Sequence, residues 1–226
     1  MADKRDVIVV GAGPVGMLTA LALAQTGASV TVLEQEPEIV NSPRAAVYFP
    51  STLIILEELG LLGELNAIGF QNRAFGTHIP EFGYSSIVTT EPIAGIPFDY
   101  QLHAGQHDVA RVAMEHALKL GVEVLFEHEV VALEDRADGV TVTAKAPAGE
   151  RTFDARWMIG ADGARSTVRK LAGIDFPGHT WPERFVATNV KFDFRKLGYQ
   201  QANFVCDPDN MAVMAQLQRD GLWRCT

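Results

Sequence analysis

The segment Gly11-Ala12-Gly13-Pro14-Val15-Gly16 constrains this chain more than any other. Residues 6–10 (DVIVV) precede it, a short β-branched apolar run of the kind that makes a buried parallel strand. Residues 17–25 (MLTALALAQ) follow it and are strong helix formers. Gly27 falls where a helix C-cap wants a residue at positive φ, and residues 29–33 (SVTVL) read as a second strand ending at Glu34. Strand, glycine turn, helix and strand in immediate succession make a βαβ unit. In such a unit Gly11 allows the tight turn and Gly13 lets the backbone approach a pyrophosphate with no Cβ in the way. Gly16 allows close helix–strand packing. The N-terminus of the helix that follows directs free N–H groups and its positive dipole end at the phosphate. Glu34 lies about 20 positions beyond the first glycine, where a carboxylate can accept both ribose hydroxyls of an adenosine. A dinucleotide-binding domain is expected.

The same stretch imitates a secretory leader, because Lys4 and Arg5 precede a largely apolar run over 7–24 that ends Ala22-Leu23-Ala24. The glycines and Pro14 interrupt that run at a spacing with its own mechanical meaning. They would also break a membrane helix early, so the segment is expected to be folded and retained. Of the 226 residues, 47% are hydrophobic and 21% charged, a composition able to bury a core. Asp and Glu number 28 against 19 Lys and Arg, and the formal charge of −9 argues against nucleic acid or an anionic membrane as the main partner. Cys206 and Cys225 lie late in the chain and show no CxxC or Cys/His ligand spacing. Free thiols in a reducing cytoplasm, with no metal site, are expected.

Beyond the βαβ unit, residues 41–50 (NSPRAAVYFP) read as a loop. Ser51 is expected to N-cap a helix that carries Leu53, Leu56 and Leu59 on one face and closes at Gly60. Over 73–100, Gly76, Pro80, Gly83, Pro92, Gly95 and Pro97 punctuate short runs, predicting a β excursion with little helix. A helical pattern returns at Asp108, with Val109, Val112, Ala113, Ala117 and Leu120 sharing a face up to Gly121. Residues 122–126 read as a buried strand. Residues 131–134 and 140–144 alternate around the hairpin turn Asp138-Gly139, and 153–160 lead into ADGARSTVRK, where Ser166 can cap a helix. After Gly178 the chain reads as strands over 185–194, 211–218 and 222–226, the last two joined by a turn at Asp220-Gly221.

The run Ile159-Gly160-Ala161-Asp162-Gly163-Ala164-Arg165-Ser166-Thr167-Val168-Arg169 closely resembles the Asp-Gly fingerprint of flavoprotein hydroxylases of the para-hydroxybenzoate hydroxylase type, the class A flavoprotein monooxygenases. In that family the Asp helps organise the pyrophosphate region of FAD and the nearby path of NAD(P)H. A strand-end carboxylate would be repelled by phosphates, so Asp162 is expected to orient an Arg and backbone amides rather than touch phosphate. Ser42-Pro43-Arg44-Ala45 sits where the family places an Arg between the ribose-binding acid and the next helix, and a guanidinium fork at Arg44 suits a phosphate. Gln106 matches the Gln that opens the corresponding helix and contacts the flavin, and Arg111 resembles a pyrophosphate-side residue of some members. The family also carries a later Gly-Asp segment, usually GDAAH followed by Pro, which binds the FAD ribityl chain. These 226 residues do not contain it, so a portion of a longer protein is expected.

The fold class implied is α/β: an FAD-binding Rossmann-like βαβ domain with a three-stranded β-meander, plus the beginning of a β-rich substrate domain. The FAD-binding domain is expected over 1–72 and 102–178, and parts of the substrate domain over 73–101 and 179–226. The resemblance implies a monooxygenase that uses FAD, NAD(P)H and O2 to hydroxylate a phenolic or polycyclic aromatic molecule through a flavin C4a-hydroperoxide. The cofactor-binding candidates are Gly11, Gly13, Pro14, Gly16, Glu34, Arg44, Gln106, Arg111 and Asp162. The alternatives are another FAD enzyme on this scaffold (halogenase, reductase or oxidase) or a non-catalytic FAD-binding module. The six histidines, His78, His103, His107, His116, His128 and His179, show no triad or metal spacing and read as surface or capping residues. The aromatic residues Phe75, Phe82, Tyr84, Phe98 and Tyr100 read as core or pocket wall. The sequence names no catalytic side chain.

Overall fold

A computed structural model of the chain describes residues 5–41, 46–92 and 94–226. In chain order it runs β1 (Arg5–Val10), α1 (Pro14–Gln25), β2 (Val30–Leu33), β3 (Val47–Tyr48), α2 (Pro50–Glu58), α3 (Leu62–Ile68), β4 (Phe70–Asn72), β5 (Ala74–Ile79) and β6 (Tyr84–Thr89). It continues with β7 (Gln101–His103), α4 (Gln106–Lys119), β8 (Glu123–Leu125), β9 (Glu129–Arg136), β10 (Gly139–Ala146), β11 (Gly149–Gly160) and α5 (Thr167–Leu171). The last elements are β12 (Thr188–Lys191), β13 (Ala202–Val205), β14 (Ala212–Gln216) and β15 (Leu222–Cys225). These fall into two units, one of residues 1–42 with 106–179 and the other of 43–105 with 180–226.

The first unit is built on a six-stranded sheet in the order β8-β2-β1-β11-β10-β9. Strands β8, β2, β1 and β11 run parallel, whereas β11, β10 and β9 form an antiparallel meander. The last four residues of β1 and all of β2 are buried, as expected of parallel strands covered on both faces. Ile8, Val10 and Leu33 join Val130, Val140, Val142, Ala144, Ala155 and Val168 in one core cluster. Helix α1 packs against β1, β2 and α4. It starts at Pro14, three residues earlier than the apolar run predicts, because a proline at the first helical position forfeits an N–H that has no partner there anyway. It ends as the sequence implies: Gly27 at φ 88° lets its N–H reach Ala24 O and the Ala28 N–H reach Leu23 O.

The second unit holds a six-stranded sheet, β12-β15-β14-β13-β5-β6, in which only β13 and β5 run parallel, and a small sheet β3-β7-β4. Residues 46–72 and 102–105, expected with the nucleotide-binding part, cluster here instead, since β3 and β4 both pair with β7. Helix α2 also corrects an expectation. Its N-cap is Phe49 and Ser51 lies inside the first turn, because Pro50 takes the first helical position. Leu53 and Leu56 are fully buried and Leu59 nearly so, as the spacing predicts. The strand expected over 185–194 contracts to Thr188–Lys191, with a 3-10 turn over Phe194–Leu197, and β13 has no counterpart in the sequence reading. Trp223 is fully buried, with Phe194 edge-on to it at 5.3 Å.

His103 is a further correction. It is not a surface residue but fully buried, tying β7 to β4 and β14. Of the excursion aromatics, Phe75 packs on Phe204 at 4.6 Å and Tyr100 is buried, while Phe82 and Tyr84 are exposed. Among the described residues no helix is long and apolar enough to cross a membrane, and no group of three or more His, Cys, Asp or Glu could hold a metal.

Candidate dinucleotide site

The C-terminal ends of β1, β2 and β11 meet at Gly11. Its N–H donates to Leu33 O at 2.8 Å, and the Ala161 N–H donates to Val10 O at 2.8 Å. Gly11 stands at φ 105°, and a Cβ there would lie 2.5 Å from Ala161 O and 3.1 Å from Asp162 Cα. The first glycine thus permits both the turn and the close passage of the Asp-Gly segment, two motifs some 150 residues apart in sequence. Gly16 is buried, and a Cβ on it would meet Gly11 O at 1.8 Å. Gly13 differs: a Cβ on it would have no neighbour within 4 Å, so it faces open space at the start of α1. Among the described residues no side chain caps that helix, so its first-turn amides are open to an outside acceptor.

Glu34 follows β2, and its backbone is clamped from the chain beyond β8. Its N–H donates to Leu125 O at 2.9 Å, and its carbonyl accepts from the His128 N–H at 2.8 Å. Glu127, between them, takes the left-handed conformation at φ 55°. The carboxylate is oriented as well: Oε2 accepts the Ala12 N–H at 2.7 Å and Oε1 the Glu36 N–H at 3.0 Å. Each oxygen keeps a lone pair for a further donor such as a ribose hydroxyl. The clamp by Leu125 and His128 was not foreseen from the sequence, where nothing ties residues 125–128 to Glu34.

Asp162 turns its carboxylate onto helix α5. Oδ2 accepts the N–H groups of Thr167 at 2.6 Å and Val168 at 3.0 Å, while Oδ1 accepts the Ser166 hydroxyl at 2.5 Å. Ser166 Oγ in turn accepts the Arg169 N–H at 2.9 Å. Three amides of a helix start are satisfied by two side chains, which holds the Asp-Gly loop rigid beside Gly11. Asp162→Ala is expected to lower stability by about 1–3 kcal/mol, since it orphans two amides and a hydroxyl. Faster hydrogen exchange at the amides of Thr167 and Val168 would register it, and unchanged exchange there would refute the capping role.

Gln106 is the first residue of α4, and Arg111 lies on the exposed side of that helix with its guanidinium 3.5 Å from Asp108. Arg44 lies outside the described residues. The turn, Glu34 and Asp162 are brought together by direct contacts, and Gln106 and Arg111 share the helix that packs on α1. This arrangement fits the adenosine-pyrophosphate half of a dinucleotide: a cradle open at Gly13, uncapped helix amides and an oriented carboxylate at the ribose position.

A βαβ cradle extended by an antiparallel meander defines an FAD-binding domain. The family model described as "FAD binding domain" matches residues 4–215, and the chain belongs to that family. It is 42% identical over 234 residues to para-nitrophenol 4-monooxygenase of Pseudomonas sp. (strain WBC-3), covering 99% of this chain and 56% of that protein. It is 40% identical over 231 residues to 6-hydroxy-3-succinoylpyridine 3-monooxygenase HspB of Pseudomonas putida (strain DSM 28022 / S16), covering 100% of this chain and 58% of that protein. The crystal structure of p-nitrophenol 4-monooxygenase PnpA from Pseudomonas putida DLL-E4 superposes with a TM-score of 0.94 at 41% identity, over 98% of this chain and 57% of that one. The chain therefore spans somewhat more than half the length of these relatives.

Proposed function

We propose that this chain holds FAD in a monooxygenase that consumes NAD(P)H and O2 to hydroxylate a small aromatic molecule. The observation that carries the reading is the convergence of Gly11–Gly16, Glu34 and the Asp162 loop at one end of the parallel strands. The α1 amides and the open side of Gly13 receive the pyrophosphate, Glu34 accepts the ribose hydroxyls, and Asp162 keeps its own loop from shifting against Gly11. Gln106 and Arg111, on α4, are assigned to the flavin and pyrophosphate sides, and Arg44 to a phosphate. Bound FAD supplies the redox chemistry that activates dioxygen, for which no amino-acid side chain suffices. The first unit, together with Arg44, serves the nucleotide, and the β-rich sheet of the second unit receives the substrate.

The substrate class follows from chemistry that two relatives' names share. Position 4 of a phenol and position 3 of a 6-hydroxypyridine both lie across the ring from the hydroxyl. A deprotonated ring hydroxyl enriches that opposite carbon, so the proposed substrate is a hydroxylated six-membered aromatic ring attacked para to its hydroxyl. A cytoplasmic location accords with the need for NAD(P)H and with two free thiols.

The purified protein is expected to carry or acquire visible bands near about 370 and 450 nm and to release FAD on denaturation. Glu34→Ala is expected to weaken FAD binding by roughly 10–100-fold, the loss of hydrogen bonds to a charged acceptor. NAD(P)H oxidation should rise on addition of a para-substituted phenol. A protein that takes up no flavin, or that takes it up equally well without Glu34, contradicts the proposed site.

A further inference from the structure

Three polar residues of the second unit form a chain that the flavin reading does not use. His78 on β5 has Nδ1 3.0 Å from Ser85 Oγ on β6 and Nε2 3.1 Å from Asn203 Oδ1 on β13. The direction of each bond is determined by Asn203, which is fully buried. Its Nδ2 donates to Gln200 O, and its Oδ1 accepts the Gln200 N–H at 2.8 Å. Oδ1 is thus the acceptor facing the imidazole, so His78 must carry its proton on Nε2. Nδ1 is then a bare lone pair, and the Ser85 hydroxyl points its hydrogen at it. Room for the arrangement comes from Gly76, where a Cβ would stand 2.4 Å from Asn203 Oδ1 and 2.9 Å from His78 Nε2. The Tyr199 ring packs on the imidazole at 4.5 Å and holds its plane.

The sheet register adds a donor. The Thr90 N–H bonds Arg73 O at 2.8 Å, and pairing between β5 and β6 alternates from there. His78 and Ser85 therefore form a non-hydrogen-bonded pair, which brings their side chains close and turns the Ser85 N–H away from β5. Among the described residues strand β6 is the sheet edge, so that N–H faces outward beside its own hydroxyl. Ile87, two residues on and on the same face, is 57% exposed and offers an apolar seat. Nucleophile, base, orienting amide and a backbone donor for a developing oxyanion are all present on one sheet edge.

We propose that Ser85 is an acyl-accepting nucleophile, activated by His78 and oriented through Asn203, that takes small apolar aryl esters. Ser85 Oγ bonds to the acyl carbon as the ester C–O bond breaks. His78 Nδ1 takes the hydroxyl proton and delivers it to the departing aryloxide. Water then attacks the acyl-serine with the same base, giving the carboxylic acid and free Ser85. No redox partner is needed, and the site is independent of the flavin cradle, which lies in the other unit.

The test is incubation of the purified protein with 4-methylumbelliferyl acetate, without NAD(P)H, read by fluorescence and by peptide mass mapping. One acetyl group on Ser85, absent in Ser85→Ala and formed about 100-fold or more slowly in His78→Gln, is expected. Nitrogen-15 spectra should show His78 as the Nε2–H tautomer, becoming a mixture of tautomers in Asn203→Ala. Acetyl groups found only on lysines, labelling of Ser85 that is as fast in His78→Gln, or an Nδ1–H tautomer in the unmodified protein would each overturn the proposal.

Discussion

Gly16→Ala is expected to destabilise the protein by about 3–5 kcal/mol, the range of severe packing and backbone clashes. The new Cβ would stand 1.8 Å from Gly11 O, and neither the helix nor the turn can retreat without opening the junction with Ala161. For a chain of this size that corresponds to a fall of roughly 10 °C in the melting temperature. Gly13→Ala is the informative contrast. Gly13 has φ −68° and ψ 176°, which any residue adopts, and its Cβ would meet nothing within 4 Å. Stability should change by less than about 1 kcal/mol, while FAD affinity should fall tenfold or more as the methyl group enters the space assigned to the pyrophosphate. Thermal melts and flavin titrations of both variants separate the two roles. If Gly13→Ala binds FAD as tightly as the parent, that space is not the phosphate seat.

His103→Ala should cost about 3–5 kcal/mol, because it removes a fully buried ring and strands its hydrogen-bond partners. Nδ1–H donates to Gln216 O at 2.7 Å, and Nε2 accepts from Asn72 Nδ2 at 3.4 Å. The Asn72 amide is itself oriented by Ala74, whose O accepts from Nδ2 and whose N–H donates to Oδ1. A second proton on Nε2 would therefore face an N–H donor inside the protein. Burial holds the His103 pKa below its ordinary value, and the hydrogen bond to Gln216 opposes this only in part. Below about pH 6.5 the unfolded chain takes up a proton that the folded chain refuses, so stability is expected to fall as the pH drops from about 6.5 toward the folded-state pKa. Chemical denaturation across pH 5–8 should show that slope in the parent and a shallower one in His103→Phe. Equal slopes in the two proteins would show that another group is responsible.

Elements whose signals are local were legible in the sequence. The βαβ start, the C-cap at Gly27, the hairpin at Asp138-Gly139 and the buried face of α2 each depend on residues within a turn or two of one another, where propensity and periodicity act directly. The glycine turn was legible for the same reason, as the spacing of Gly11, Gly13 and Gly16 is a short-range requirement of one strand–turn–helix junction. The starts of α1 and α2 were misplaced because proline at a first helical position outweighed the apolar pattern and the capping serine.

What the tertiary structure alone decided depends on pairing across long stretches of chain. Asp162 comes to Gly11 because β11 pairs with β1, and residues 125–128 clamp Glu34 because β8 extends the sheet beside β2. His103 is a buried joint because β14 reaches it, and His78 meets Asn203 because β13 pairs with β5. Sequence spacing determines which residues share a turn or a helical face. The partner of a strand edge is chosen by the burial of the whole sheet, and no single segment carries that information.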